Sequence, residues 1–147
     1  MDAVIGKLEA AQARYVLIGG QALRLEGMPR FSMDWDLYVP PRDTANIARI
    51  NAALGNELDM PLEPMGPRGE NFVQTYQTDE GILQFHLGGP GLPPFEQAER
   101  DAVIRLTENG TRVRCMSAVH LLQCKRASNR PQDAQDILFL ETKCAAR

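Results

Sequence analysis

Residues 15–39 read Tyr-Val-Leu-Ile-Gly-Gly-Gln-Ala-Leu-Arg-Leu-Glu-Gly-Met-Pro-Arg-Phe-Ser-Met-Asp-Trp-Asp-Leu-Tyr-Val. Residues 15–18 are a continuous apolar run, suited to a buried central strand. Gly19-Gly20 follow, then a short helix from residue 21 to about residue 27, which Gly27 and Pro29 end. A polar turn leads into a second strand that opens with Asp34 and Asp36. Side chains two apart on a strand share a face. The two carboxylates are therefore neighbours, with Cα atoms about 6.6 to 6.8 Å apart. Two carboxylates that close repel unless a proton or cation lies between them. Oxygen ligands of this kind suit Mg²⁺, which takes one or two carboxylates plus substrate phosphates. Gly19 and Gly20 let a ligand approach the backbone closely, and a helix starting after them aims N–H groups at the same place. The pattern points to a site for a nucleoside triphosphate with its metal.

Outward from this stretch, residues 2–13 have a helical apolar period in Val4, Ile5, Leu8 and Ala11. Trp35 and Leu37 face away from the aspartates, whereas Tyr38 shares their face. Pro40 and Pro41 stop the strand, and Asp43 or Thr44 caps a helix striped by Ile47, Ile50 and Leu54. Residues 59–71 are rich in Pro and Gly and form a loop, either a connector or a recognition element. Residues 72–78 and 82–87 read as two strands joined at Asp79-Glu80-Gly81, with Gln84 and His86 on one face. Residues 88–94 form another Gly/Pro loop, and residues 95–99 a short helical piece. Asn109-Gly110 joins strands at residues 102–107 and 112–116. Ser117 caps a helix to about Ser128, and Pro131 starts a last helix with Ile137, Leu138 and Leu140 as apolar positions. The order predicts a mixed β-sheet flanked by helices, an α/β fold.

The 147 residues fit one domain with one core, residues 1–147. A net charge of −3 gives no global attraction to nucleic acid or membrane, so RNA contact needs a local basic patch. Arg112, Arg114, Lys125, Arg126 and Arg130 are the candidates for one. No apolar run reaches membrane-spanning length and no signal-peptide pattern opens the chain. Cys115, Cys124 and Cys144 lack metal-site spacing. They read as reduced thiols, and the expected location is cytoplasmic.

Two stretches carry a resemblance. Gly19-Gly20 followed by Arg30-Phe31-Ser32-Met33-Asp34-Trp35-Asp36 resembles the signature of the nucleotidyltransferase superfamily with the DNA polymerase β-like fold. That signature is Gly-Gly or Gly-Ser, a helix, and Arg-x-Thr-x-Asp-x-Asp on the next strand; Ser32 stands where Thr is usual. The segment Lys125-Arg126-Ala127-Ser128-Asn129-Arg130-Pro131-Gln132-Asp133-Ala134-Gln135-Asp136 resembles a Lys…Arg-Pro-x-Asp-x-x-Asp pattern. Small bacterial AbiEii-like nucleotidyltransferases, related to toxins of type IV toxin–antitoxin systems, carry that pattern.

The resemblance implies a polymerase-β-type core with a short helical C-terminal tail. It implies transfer of a nucleotide from an NTP, with Asp34 and Asp36 holding Mg²⁺ or Mn²⁺. Gly19, Gly20, Arg30, Ser32 and Lys125 fall at nucleotide-binding positions, although Arg30 can equally pair with an acid. The acceptor, be it tRNA, a protein hydroxyl or a small molecule, is not legible, and an antitoxin protein is a possible partner. The third acidic position of the family aligns with Gln84, which carries no charge. His86 on the same face is a candidate base, and Asp79 or Glu80 could fold in from the turn. The alternative is a catalytically impaired module that binds a nucleotide or partner. Asp133 and Asp136, three apart on a helix, are expected to pair with Arg130 or Lys125, and His120 to lie on a helix surface or in packing.

Overall fold

The computed structural model describes residues 1–146. Helix α1 (Asp2–Ala10) precedes strand β1 (Val16–Ile18), helix α2 (Gly19–Leu25) and strand β2 (Asp34–Tyr38). Helix α3 (Thr44–Ala53) and a long loop lead to the hairpin β3 (Val73–Thr78) and β4 (Gly81–His86). Helix α4 (Phe95–Asp101), the hairpin β5 (Val103–Leu106) and β6 (Arg112–Cys115), and helix α5 (Ala118–Ser128) follow. A 3-10 turn (Pro131–Asp133) and helix α6 (Ala134–Ala145) end the described chain.

The strands form one mixed sheet in the order β3-β4-β2-β1-β6-β5. β1 runs antiparallel to β2, and β2 runs parallel to β4. Its centre is apolar because its central strands are covered by helices: Val16, Leu17, Leu37, Leu83, Phe85, Val113 and Cys115 are fully buried. Each such aliphatic or aromatic side chain contributes about 1.5 to 3 kcal/mol by leaving water. The expected mixed α/β architecture is the observed one.

Local chemistry explains the element ends. The Asp43 carboxylate accepts the N–H of Asn46 at 3.0 Å and starts α3. Ser117 Oγ accepts the N–H of His120 at 3.3 Å and starts α5. Asn129, in the left-handed region at φ 45°, ends α5. Asn46 is fully buried because its side chain bonds both the N–H and the C=O of Arg14, tying α3 to the approach of β1.

Three expectations shift. Helix α2 begins at Gly19, not Gln21, so the diglycine is its first turn rather than its lead-in. Pro131 opens a 3-10 turn, and the last α-helix begins at Ala134. Leu138 is exposed, because the buried face of α6 passes through Asp136 and Leu140 instead. The loop at residues 59–71 is fastened at its start: Asn51 bonds both main-chain groups of Leu62, and Gln74 does the same for Glu63.

Candidate active site

The site lies where β1, β2 and β4 meet the loop before β2 and helix α5. In the β2–β4 register Asp36 is opposite Gln84 and Tyr38 opposite His86; in β1–β2 Ile18 is opposite Asp36. Asp34, Asp36, Gln84 and His86 all line one cavity of about 790 Å³. That size lies within the usual range for small-molecule sites. Gly19, Gly20, Arg30, Ser32, Lys125 and Arg130 line the same cavity. Every residue assigned to the site from sequence therefore converges on one place. Tyr38, on the aspartate face, is buried and donates its hydroxyl to the Pro93 carbonyl at 2.6 Å.

The diglycine serves by clearance. Gly19 sits at φ +71°, and a Cβ there would lie 2.5 Å from Asp36 Oδ2. A Cβ on Gly20 would lie 2.5 Å from Ser32 Oγ and 3.4 Å from the Arg30 guanidinium carbon. Any side chain would displace the Asp36 carboxylate or fill the space beside Ser32 and Arg30.

Asp36 is held from the other side by His86, whose Nε2 is 2.9 Å from Oδ1. An ionised carboxylate cannot donate, so the hydrogen in that bond sits on the imidazole. Only Nδ1 of a neutral His86 remains to accept a proton. The Asp34 carboxylate makes no hydrogen bond or ion pair among the described residues. Gln84 donates from Nε2 to Thr75 Oγ1 at 3.2 Å, which leaves its amide oxygen to accept. Among the described residues no three His, Cys, Asp or Glu side chains gather as a metal site. The acidic set is two carboxylates with an amide beside them.

The opposite wall is basic, and its charges are paired. Lys125 Nζ lies 3.3 Å from Asp133 Oδ1 and 3.1 Å from Asp136 Oδ2. Arg30 reaches across 106 residues of sequence to Asp136 Oδ2 at 2.6 Å. The Arg130 guanidinium makes two bonds to Asp133, each 3.0 Å. Three cations against two nearly buried acids leave this wall net positive. Burial by itself would raise the Asp133 carboxyl, but the Arg130 hydrogen bonds and the Lys125 charge outweigh it and hold the group below its usual range.

Other candidates lie elsewhere. Glu80 bonds the Met1 amine at 2.6 Å and Asp79 is exposed in the β3–β4 turn, so neither folds into the cavity. The five basic residues do not form one patch. Arg114 faces Glu9 and Arg126 pairs with Glu141, while Lys125 and Arg130 stay at the cleft. His120 is buried and held by Asp101 and Gln123. Phe31, Met33 and Cys124 also line the cavity and had no signal in the sequence beyond adjacency to named residues. Burial pushes the Cys124 thiol up to about 11, so it is no thiolate nucleophile at neutral pH.

No protein-family model matches the chain, and no curated protein matches it significantly. Among solved structures, a candidate nucleotidyltransferase from Thermotoga maritima aligns with a TM-score of 0.49 at 11% identity, over 98% of this chain and 89% of that one. A candidate nucleotidyltransferase from Helicobacter pylori aligns with a TM-score of 0.45 at 20% identity, over 84% of this chain and 53% of that one. JHP933, also from Helicobacter pylori, gives 0.42 at 19% identity, over 84% and 51%. The chain thus spans about half the length of the two Helicobacter proteins.

Proposed function

We propose that the chain is a metal-dependent nucleotidyltransferase of the AbiEii-like kind, moving a nucleotide from an NTP to an acceptor. The observation that carries this reading is the cleft itself. Two carboxylates on one strand face the same cavity as a side-chain-free turn, a hydroxyl and a net-positive wall. Asp34 and Asp36 are hard oxygen donors of the type Mg²⁺ or Mn²⁺ prefers, and the Gln84 amide oxygen is a further neutral donor. A divalent cation bound there would withdraw charge from phosphoryl oxygens and acidify the attacking hydroxyl.

Ser32, Arg30 and Lys125 bind and orient the phosphates, and His86 keeps Asp36 in place. An acceptor oxygen bonds the α-phosphorus as the bond to the α–β bridging oxygen breaks, and pyrophosphate leaves. The acceptor's proton passes to His86 Nδ1 or to water. The acceptor is a hydroxyl of tRNA, protein or a small molecule, and a cytoplasmic setting with an antitoxin-like partner belongs to the same reading. No helix among the described residues is long and apolar enough to cross a membrane.

A second reading rests on Gln84. With an amide opposite Asp36, the site has one carboxylate fewer than the resembled enzymes, and the chain would bind Mg²⁺–NTP without turnover. Incubation with Mg²⁺ and each labelled NTP separates the two. Pyrophosphate release or self-labelling, lost in Asp34→Ala and Asp36→Ala, is the expected result. A rise in melting temperature with Mg²⁺ and ATP but no release would leave the binding module; neither effect would overturn both. Gln84→Asp should tighten Mg²⁺ binding several-fold, measured by titration calorimetry, and an unchanged affinity would remove Gln84 from the metal's surroundings.

A further inference from the structure

One part of the cleft is left unexplained by phosphate and metal chemistry. Phe31 is 80% exposed and Met33 is 64% exposed, the two most exposed large apolar side chains lining this cavity. They flank Ser32, whose hydroxyl lies beside Gly20 and Arg30. Leaving a phenyl ring in water forfeits the benefit of burying it, so its position at the mouth of a polar cleft calls for an apolar occupant. The segment that carries it is fastened. Arg30 Nε donates to the Phe31 carbonyl at 3.2 Å, Arg30 also bonds Asp136, and the Gln21 amide donates to the Ser32 carbonyl at 2.9 Å. The ring is presented on a backbone fixed at both neighbours. Leu92 adds apolar surface to the same cavity from another segment, with the buried Leu121 behind the lining.

The geometry points to Phe31, with Met33 beside it, as the platform on which the nucleobase of the NTP stacks while its phosphates lie toward Ser32, Arg30 and Lys125. This rests on the nucleotide reading above and adds to it a residue that reads the base. Every base has a π-face, and its stacking on an aromatic side chain is largely indifferent to sequence. Such a platform accepts any NTP, with at most a modest preference for the larger purine face, and does not choose among them by hydrogen bonding. The methionine thioether makes favourable contact with ring edges and adapts to either base size.

The test compares two probes, Mg²⁺–ATP and Mg²⁺–tripolyphosphate, by calorimetry on the full chain. The variants are Phe31→Ala and Phe31→Trp, with Leu138→Ala as an exposed control outside the cavity. Phe31→Ala should weaken ATP binding by roughly five- to a hundred-fold and leave tripolyphosphate binding unchanged. Phe31→Trp should keep or tighten ATP binding, and Leu138→Ala should change neither. Because Phe31 is exposed, its truncation leaves the core intact, and a melting curve verifies this. Equal ATP affinity in wild type and Phe31→Ala, with tripolyphosphate still bound, would overturn the platform while sparing the nucleotide reading. The platform is equally overturned if Phe31→Ala weakens both probes alike, since the effect would then be on the phosphate end. Failure of the wild type to bind either probe would remove the nucleotide reading and the platform with it.

Discussion

The two walls of the cleft treat charge in opposite ways. On the β2 wall, Asp34 has no partner among the described residues and Asp36 has only His86. On the α5–α6 wall, Lys125, Arg130, Asp133 and Asp136 are all paired, and Arg30 crosses from the β2 side to join them. A carboxylate with no protein partner keeps its oxygens free to accept from a ligand. A buried, satisfied network fixes positions. The β2 wall leaves a carboxylate open to the cavity, and the α5–α6 wall holds Lys125 and Arg30 in fixed positions beside it.

The sharpest way to break this contrast is Asp136→Ala. It removes the acid shared by Lys125 and Arg30, leaving Arg30 without its carboxylate partner and the largely buried Lys125 with Asp133 alone. The expected loss is about 3 to 5 kcal/mol, read as a fall of roughly 10 °C in melting temperature for a chain of this size. Asp34→Ala should change stability by less than about 0.5 kcal/mol, as for a site with no partner to lose. If the two variants melt alike, the walls do not differ as described.

Gly91→Ala probes the same wall from behind. Gly91 sits at φ +75°, and a Cβ there would lie 2.7 Å from the Gln123 carbonyl oxygen and 2.9 Å from Cys124 Cα, on the backbone of α5. Backbone strain and overpacking together should cost roughly 2 to 5 kcal/mol. Helix α5 carries Lys125, so ATP binding should weaken in the surviving folded fraction, measured by calorimetry below the melting transition. A variant with wild-type stability would mean that α5 moves freely on the loop at Gly89–Gly91.

The smallest effect is in acid. The Asp133 carboxyl is held below its usual value, so its contribution is complete above about pH 4 and is lost as pH falls through the lowered folded value. Melting temperature against pH should drop below about pH 4, and Asp133→Asn should flatten that limb while lowering the plateau. An acid limb unchanged by the substitution would assign the drop to other carboxylates, among them Asp43, which an Asn46 N–H and Arg14 also hold low.

Legibility in the sequence follows distance along the chain. The β1–diglycine–β2 unit and the two hairpins are readable because alternation, turn residues and an apolar run are local signals. Parity puts Gln84 on the face of His86, but its place beside Asp36 is readable only through the family resemblance. The start of α2 is not, because a glycine at φ +71° looks like a turn to any local rule, yet it opens the helix here. Three contacts have no local signal at all: Arg30 to Asp136, Asp36 to His86, and Asn46 around Arg14. Phe31 and Met33 lie inside the motif yet give no sign of their place at the cleft mouth, because a residue type says nothing about exposure in a loop.

The bond from Arg30 to Asp136 also orders events in time. It closes a loop of more than a hundred residues, the kind of contact that forms late because its entropy cost comes before its reward. A chain growing from its N-terminus completes the diglycine, the aspartate strand and the β3–β4 hairpin while the acid that anchors Arg30 and Lys125 is still unmade. The two aspartates thus precede the anchored Arg30 and Lys125, and a full cleft exists only once α6 has docked.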